Sequence, residues 1–265
     1  MSSRYEKEVS NYHKKDAIIA LCFFVFSGIV SYLNGTIVRL FDTSLQVSQM
    51  LGMSVSLLKV AIIFAIVLIS KQGISSLGFH KQNLWFALRL GFFFALIPLI
   101  LNNGILTGLI NGWELNEFGL MMYLLLYIFI LAGHEDILFV GYIQTRLYGL
   151  VKDDKLAVNI GAGLFALAHI PYGLAINGIG FLNMTLILWL IATFFLHRAF
   201  VQIFKRYFSL FTVTIVHVAI NWTGAALWRQ AYENWTIVSI WPVISTIVLV
   251  WAIDIWFTRV SKVPE

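Results

Sequence analysis

The sequence predicts an all-α protein built for a bilayer: a polytopic membrane helix bundle of about eight transmembrane helices, read as one integral membrane domain over residues 1–265. Three observations carry that prediction. Of 265 residues, 60% are hydrophobic and only 12% charged, whereas water-soluble domains carry about 25% charged residues. The apolar residues gather into runs close to the roughly 20 residues a helix needs to cross a hydrocarbon core. Basic residues cluster between alternate runs instead of spreading evenly.

Taken in order, the runs cover about 17–38, 50–70, 84–102, 118–148, 156–176, 181–199, 209–228 and 236–257. The first lacks a small-residue cleavage site after a short apolar core, so it reads as an anchor and not a cleaved signal. It holds the single cysteine, Cys22, which excludes an intrachain disulfide and a cysteine-based zinc cluster. Lys59 interrupts the second run and Asp254 the eighth; each reads as an isolated snorkelling or pairing residue. Over-long for one crossing, the fourth carries Gly133-His134-Glu135-Asp136 in its interior. The fifth carries His169, and the seventh His217 and Asn221. Four prolines and no Ser- or Gly-rich tract leave no linker.

Orientation follows from charge. Arg4, Lys7, Lys14 and Lys15 precede the first run, and Lys71, Lys81 and Arg89 lie by the second and third. Arg146, Lys152 and Lys155 separate the fourth from the fifth, Arg198, Lys205 and Arg206 the sixth from the seventh, and Arg259 and Lys262 follow the last. Only Arg39 and Arg229 fall on the other side. The positive-inside rule then puts both termini in the cytoplasm of a multi-pass protein of the cell membrane. The net charge of +5 is accounted for by this asymmetry, and no nucleic-acid partner is implied.

Depth singles out a few polar residues. At the helical rise of 1.5 Å per residue, Glu135 lies roughly 16 Å in from Arg146, and His169 roughly 21 Å in from Lys155. His217 and Asn221 lie roughly 16 and 22 Å in from Arg206. Being i and i+4, they share a helix face. Glu135 and Asp136 are adjacent, about 100° apart, so only one points squarely at a shared centre. Gly133, Gly141, Gly161 and Gly163 would permit close helix approach. A charge at mid-membrane costs on the order of 2.5–3.5 kcal/mol on insertion scales, so such a set is expected to enclose a small hydrated chamber, here one opening toward the cytosol.

The chemistry suits hydrolysis without a covalent intermediate. A carboxylate beside an imidazole can take a proton from water, and a second imidazole with an amide can donate to a developing oxyanion. No cofactor is called for. Zinc is the competing reading, with Glu135, His169 and His217 as ligands and one position left for water; HEDIL is not HExxH, which counts against it. No GxSxG appears, so a serine triad has little support. A proton-coupled transporter would also use intramembrane acids and histidines, but no pair of interrupted helices in mirrored halves is apparent.

Three short stretches in fixed order, EDILFVGYIQTRL, LFALAH and HVAIN, resemble the EExxxR, FxxxH and HxxxN motifs of the CAAX protease and bacteriocin-processing (CPBP, or Abi) family of intramembrane endopeptidases. The likeness covers about residues 70–226, including GISSLGFHKQN before the third run. It implies a glutamate-dependent membrane protease in which Glu135 and His169 activate water and His217 and Asn221 hold the oxyanion, with Asp136, His134 and Phe165 in support. The implied partner is a membrane-embedded or lipidated peptide or protein in the bilayer. Two positions depart from the pattern: the second acid is Asp136, and the arginine position is Val140. Loss of that cation motivates the alternative of a catalytically inactive relative acting in bacteriocin self-immunity or membrane signalling.

Overall fold

A computed structural model describes residues 4–80, 84–101, 108–109, 113–222 and 235–260. Lys81, Arg229, Lys262 and the end of the seventh run lie outside the described residues. Ten helices are used below: α1 Arg4–Val9, α2 Lys14–Leu40, α3 Leu45–Ile69, α4 Leu84–Pro98, α5 Phe118–Leu147, α6 Asp154–Leu167, α7 Ile170–Asn177, α8 Met184–Tyr207, α9 Leu210–Asn221 and α10 Trp235–Ile255. No strand occurs among the described residues. Six described helical segments are long and apolar enough to cross a membrane: α2, α3, Leu84–Leu101, α5, Asp154–Phe181 and α8. Large apolar side chains such as Leu33, Leu58, Phe92, Phe129 and Ile191 face outward, a surface that water would not tolerate and lipid does. The chain is a multi-pass membrane protein.

Local chemistry sets the helix ends. The Asp16 carboxylate accepts from the His13 N–H at 2.9 Å to open α2. Asp153 accepts from the Leu156 N–H at 2.7 Å to open α6, and Asn183 from the Leu186 N–H at 3.0 Å to open α8. These side chains satisfy N–H groups that have no partner within their own helix. Lys205 and Arg206 occupy the last turn of α8, where cations favour the negative end of the helix.

Two of the predicted runs are not plain helices. The fifth breaks at Ala168-His169 between α6 and α7, because Pro171 has no N–H for the ladder and its ring clashes with the preceding turn. In the fourth, the α-helix ends at Glu135 and a π-helical stretch runs over Asp136–Ile143 before α-geometry returns at Gln144. Such widened turns are frequent at functional sites. At 12 residues, α9 is about 18 Å long, too short for a full crossing.

Packing brings α9 against α4 and α5, α8 against α6 and α10, and α2 against α7. One apolar cluster centres on Phe94, Val140, Phe200, Phe204 and Val213, the other on Phe23, Ile63, Leu138, Phe139 and Phe165. At the basic end the Tyr5 ring of α1 sits edge-on to Tyr148, Phe204 and Phe208 at 5.8–6.0 Å. Arg146 is locked there too, as described below.

The glycines divide unevenly. A Cβ at Gly141 would stand 2.9 Å from the Leu77 carbonyl oxygen, so this glycine lets the 3₁₀ turn Ile74–Leu77 touch the π-helical stretch. Gly161 faces the Gln144 amide more tightly still. Gly133 has only ordinary contact and Gly163 faces open space, so the expectation of close approach fails at those two.

Candidate active site

The widened turn in α5 has a direct consequence for the acid pair. Asp136 Oδ1 lies 2.9 Å from His217 Nδ1, and Glu135 Oε2 lies 3.6 Å from His217 Nε2. The first is a hydrogen bond that Nδ1–H donates; the second is too long for one but well within electrostatic reach. One imidazole therefore spans both carboxylates, one at each nitrogen. Asp136 is closed in by protein at 1% exposure, whereas 26% of the Glu135 side chain stays accessible.

That accessible part of Glu135 faces a cavity of about 220 Å³ between α2, α3, α5 and the α6–α7 break, which His134, His169, Lys59, Tyr127 and Tyr172 also line. His169 donates from Nδ1 to the Phe165 carbonyl at 2.9 Å. This bond fixes the tautomer and leaves Nε2 as the free nitrogen. The break at Pro171 thus places an orientable imidazole opposite the carboxylate. His134 Nδ1 lies 2.7 Å from the Leu131 carbonyl oxygen of its own helix.

Phe165 holds the histidines in place. Its ring meets His169 edge-on at 5.0 Å and His217 at 6.1 Å, and it stacks on the buried His197 at 5.1 Å. Rings packed on both faces lose their freedom to rotate, so this phenylalanine fixes the relative angle of three imidazoles. His197 reaches the Gln144 amide oxygen at 3.4 Å.

Other positions lie elsewhere. Asn221 ends α9 one turn past His217, half-buried and off the cavity wall. Val140 is 1% exposed and packs in the apolar cluster with Phe94 and Val213. Arg146 does not approach the acids. Its guanidinium donates to the Ser76 carbonyl and hydroxyl, the Gln72 amide oxygen, the Gly141 carbonyl and the Thr145 hydroxyl. The Tyr12 and Tyr142 rings flank it at 4.4 and 4.8 Å. Among the described residues, no group of three or more His, Cys, Asp or Glu side chains is placed to hold a metal ion.

Of the two readings of Lys59, the structure supports pairing. Lys59 neither snorkels nor stands isolated: at 4% exposure its Nζ donates to Ser31 Oγ at 2.7 Å and lines the same cavity as Glu135. The signal was present, since Lys59 lies roughly 18 Å in from Lys71 by helical rise, level with Glu135 and His217. From Glu135 and Lys59 the cavity extends toward Asn34, Ser48 and Tyr172, at the end where α2 stops and α3 begins. Tyr142, Ile143 and Arg146, further along α5, are buried.

Residues 117–223 match the family model for type II CAAX prenyl endopeptidase Rce1-like proteins. This segment is Rce1-like. It contains every residue of the three motifs, from Glu135 to Asn221. No curated protein and no solved structure matches the chain. The Rce1-like segment covers α5 to α9, while the cavity walls from α2 and α3, including Lys59, lie outside it.

Proposed function

We propose that the protein is a glutamate-dependent intramembrane endopeptidase that hydrolyses a peptide bond of a membrane-embedded or lipidated substrate. The observation that carries this is Glu135: a carboxylate held against His217 on one side and open to a cavity shared with His169 on the other. Glu135 takes a proton from a water that the free nitrogen of His169 orients. The water oxygen bonds to the scissile carbonyl carbon, and the carbonyl π pair moves onto its oxygen. When that intermediate collapses, the C–N bond breaks and the proton on Glu135 passes to the departing amine. Asp136 fixes the His217 ring, and the ring sets the Glu135 carboxylate. The resemblance assigns the oxyanion to His217 and Asn221, of which Asn221 stands off the cavity wall.

The remaining finer readings belong with this one: a single domain over 1–265 with its core at about 70–226, both termini cytoplasmic, and residence in the cell membrane. No cofactor is required of the residues named. The test is cleavage of lipidated and unlipidated peptides by the purified protein in bilayer discs, beside Glu135→Ala. Cleavage by the wild type with at least a hundredfold loss in the variant is the expected result; equal cleavage would remove Glu135 as the base. Val140 motivates a second reading, a catalytically silent relative in immunity or signalling. That reading requires folded Glu135→Ala and His169→Ala variants to retain the cellular phenotype.

A further inference from the structure

The scheme above leaves one buried cation without a task. Lys59 has Ser31 Oγ as its hydrogen-bond partner, and no carboxylate among the described residues pairs with it directly. An ammonium group has three N–H donors, so two remain for whatever fills the space beside it. Lys59 lines two adjoining hollows, of about 220 and 70 Å³, and both are also lined by Glu135 and His134. Burying an ammonium with one neutral partner costs several kcal/mol, a cost that selection removes unless the charge is used.

The other donors near Glu135 are neutral, like the Tyr127 and Tyr172 hydroxyls on the cavity wall, or are placed elsewhere. His217 presents one nitrogen to each carboxylate, His134 is tied to the Leu131 carbonyl, and Asn221 is off the cavity wall. Among the groups that line the cavity are a base on α5, a water-orienting imidazole at the α6–α7 break, and, as its cation, an ammonium on α3. A carbonyl group lying between α3 and α5 would have its carbon toward Glu135 and its oxygen toward Lys59.

We propose that Lys59 is a catalytic residue that donates to the oxyanion formed on the scissile carbonyl. The inference rests on the hydrolytic reading above. When water attacks, the π pair displaced onto the carbonyl oxygen becomes a full negative charge that the Lys59 N–H groups hold; on collapse the pair returns to carbon as the C–N bond breaks, and Lys59 keeps its protons throughout. A donor placed for charge that exists only in the transition state lowers the barrier without tightening substrate binding.

The test uses the full chain in bilayer discs, with Lys59→Met, Lys59→Gln and Lys59→Arg. Loss of one oxyanion donor predicts a fall in kcat of about 10²–10³-fold with KM little changed, and partial recovery in Lys59→Arg. A phosphinic peptide, whose tetrahedral centre is anionic, should lose affinity for Lys59→Met by a comparable factor, while an uncharged peptide of the same sequence should not. If Lys59→Met fails to fold, Lys59→Gln carries the same expectation, because it keeps the Ser31 hydrogen bond without the charge. Unchanged kcat or unchanged phosphinate affinity overturns the proposal. So does an activity loss recovered at higher pH, the mark of a lysine that merely keeps Glu135 ionised. Cleavage by wild type with Lys59→Met matching it defeats the role of Lys59 alone; no cleavage of any peptide by wild type defeats the hydrolytic reading and this role with it.

Discussion

Asp136 offers a graded test of how the site is held. Its Oδ1 accepts from His217 Nδ1 at 2.9 Å with both side chains nearly closed to solvent. Asp136→Asn keeps the shape and an acceptor oxygen but removes the charge. A hydrogen bond to a charged group contributes about 1.5–3 kcal/mol and a neutral one about 0.5–1.5, so the exchange should cost on the order of 1 kcal/mol. Carried into the transition state, that is about a fivefold to tenfold loss in kcat/KM. Asp136→Ala goes further and leaves the His217 ring buried with no partner at Nδ1. Breaking a buried pair in this way costs about 3–5 kcal/mol, a loss of 10² or more in kcat/KM and a matching loss in unfolding free energy. The assay is hydrolysis and chemical unfolding in one detergent, with Asp136→Ala, His217→Ala and the double variant forming a cycle. Coupling of about 1–3 kcal/mol is expected for groups in contact. If Asp136→Asn is as damaging as Asp136→Ala, or the two alanine effects simply add, Asp136 does not act through His217.

Other consequences are quicker to state. Arg146→Met should destabilise the fold by about 3–5 kcal/mol and expose α1 to protease, because it strips partners from Gln72 and Ser76; unfolding and limited proteolysis read both. Gly141→Ala should destabilise by about 1–3 kcal/mol through its clash with the Leu77 carbonyl, whereas Gly163→Ala, facing open space, should stabilise by up to about 1 kcal/mol through helix propensity. Chelators should leave turnover unchanged; loss with a chelator and recovery with zinc would return Glu135, His169 and His217 as metal ligands. Burial, then the charge of Arg4, holds the His80 imidazole below its ordinary pKa. Its contribution to stability is therefore complete above about pH 6.5 and lost as pH falls through the depressed folded value. Stability of His80→Phe should depend less on pH across that window.

The helical class and most of the crossings were legible because composition and run length are set by the solvent, and lipid leaves few alternatives. The motif residues were legible because charge in a bilayer is costly enough to stand out. Geometry that depends on a neighbouring helix was not. Nothing in EDILFVGY announces a π-helical turn, and adjacent acids read as diverging by 100° when both in fact reach one ring. Pro171 did announce the break after His169, and its weight was missed because the surrounding run stayed apolar. Gly161 and Gly163 look alike in sequence, and only their neighbours, Gln144 for one and open space for the other, tell them apart.

Val140 and Lys59 bear on the same question from opposite sides. The resemblance implies a cation five residues beyond the glutamate, on α5. In this chain that position is filled by an apolar side chain packed against α4 and α9, so restoring an arginine there would force a guanidinium among buried apolar side chains. The site's buried cation comes instead from α3, from outside the Rce1-like segment, across the cavity from Glu135. An arginine beneath the acids would neutralise them along their own helix. A lysine opposite them leaves a gap that a substrate carbonyl can enter, with opposite charges on its two sides. If this relocation is what sustains activity, Val140→Arg should not rescue Lys59→Met, because a cation on α5 cannot reach the α3 side of the substrate. Recovery of kcat in that double variant would show that the site needs only net charge, wherever it is placed.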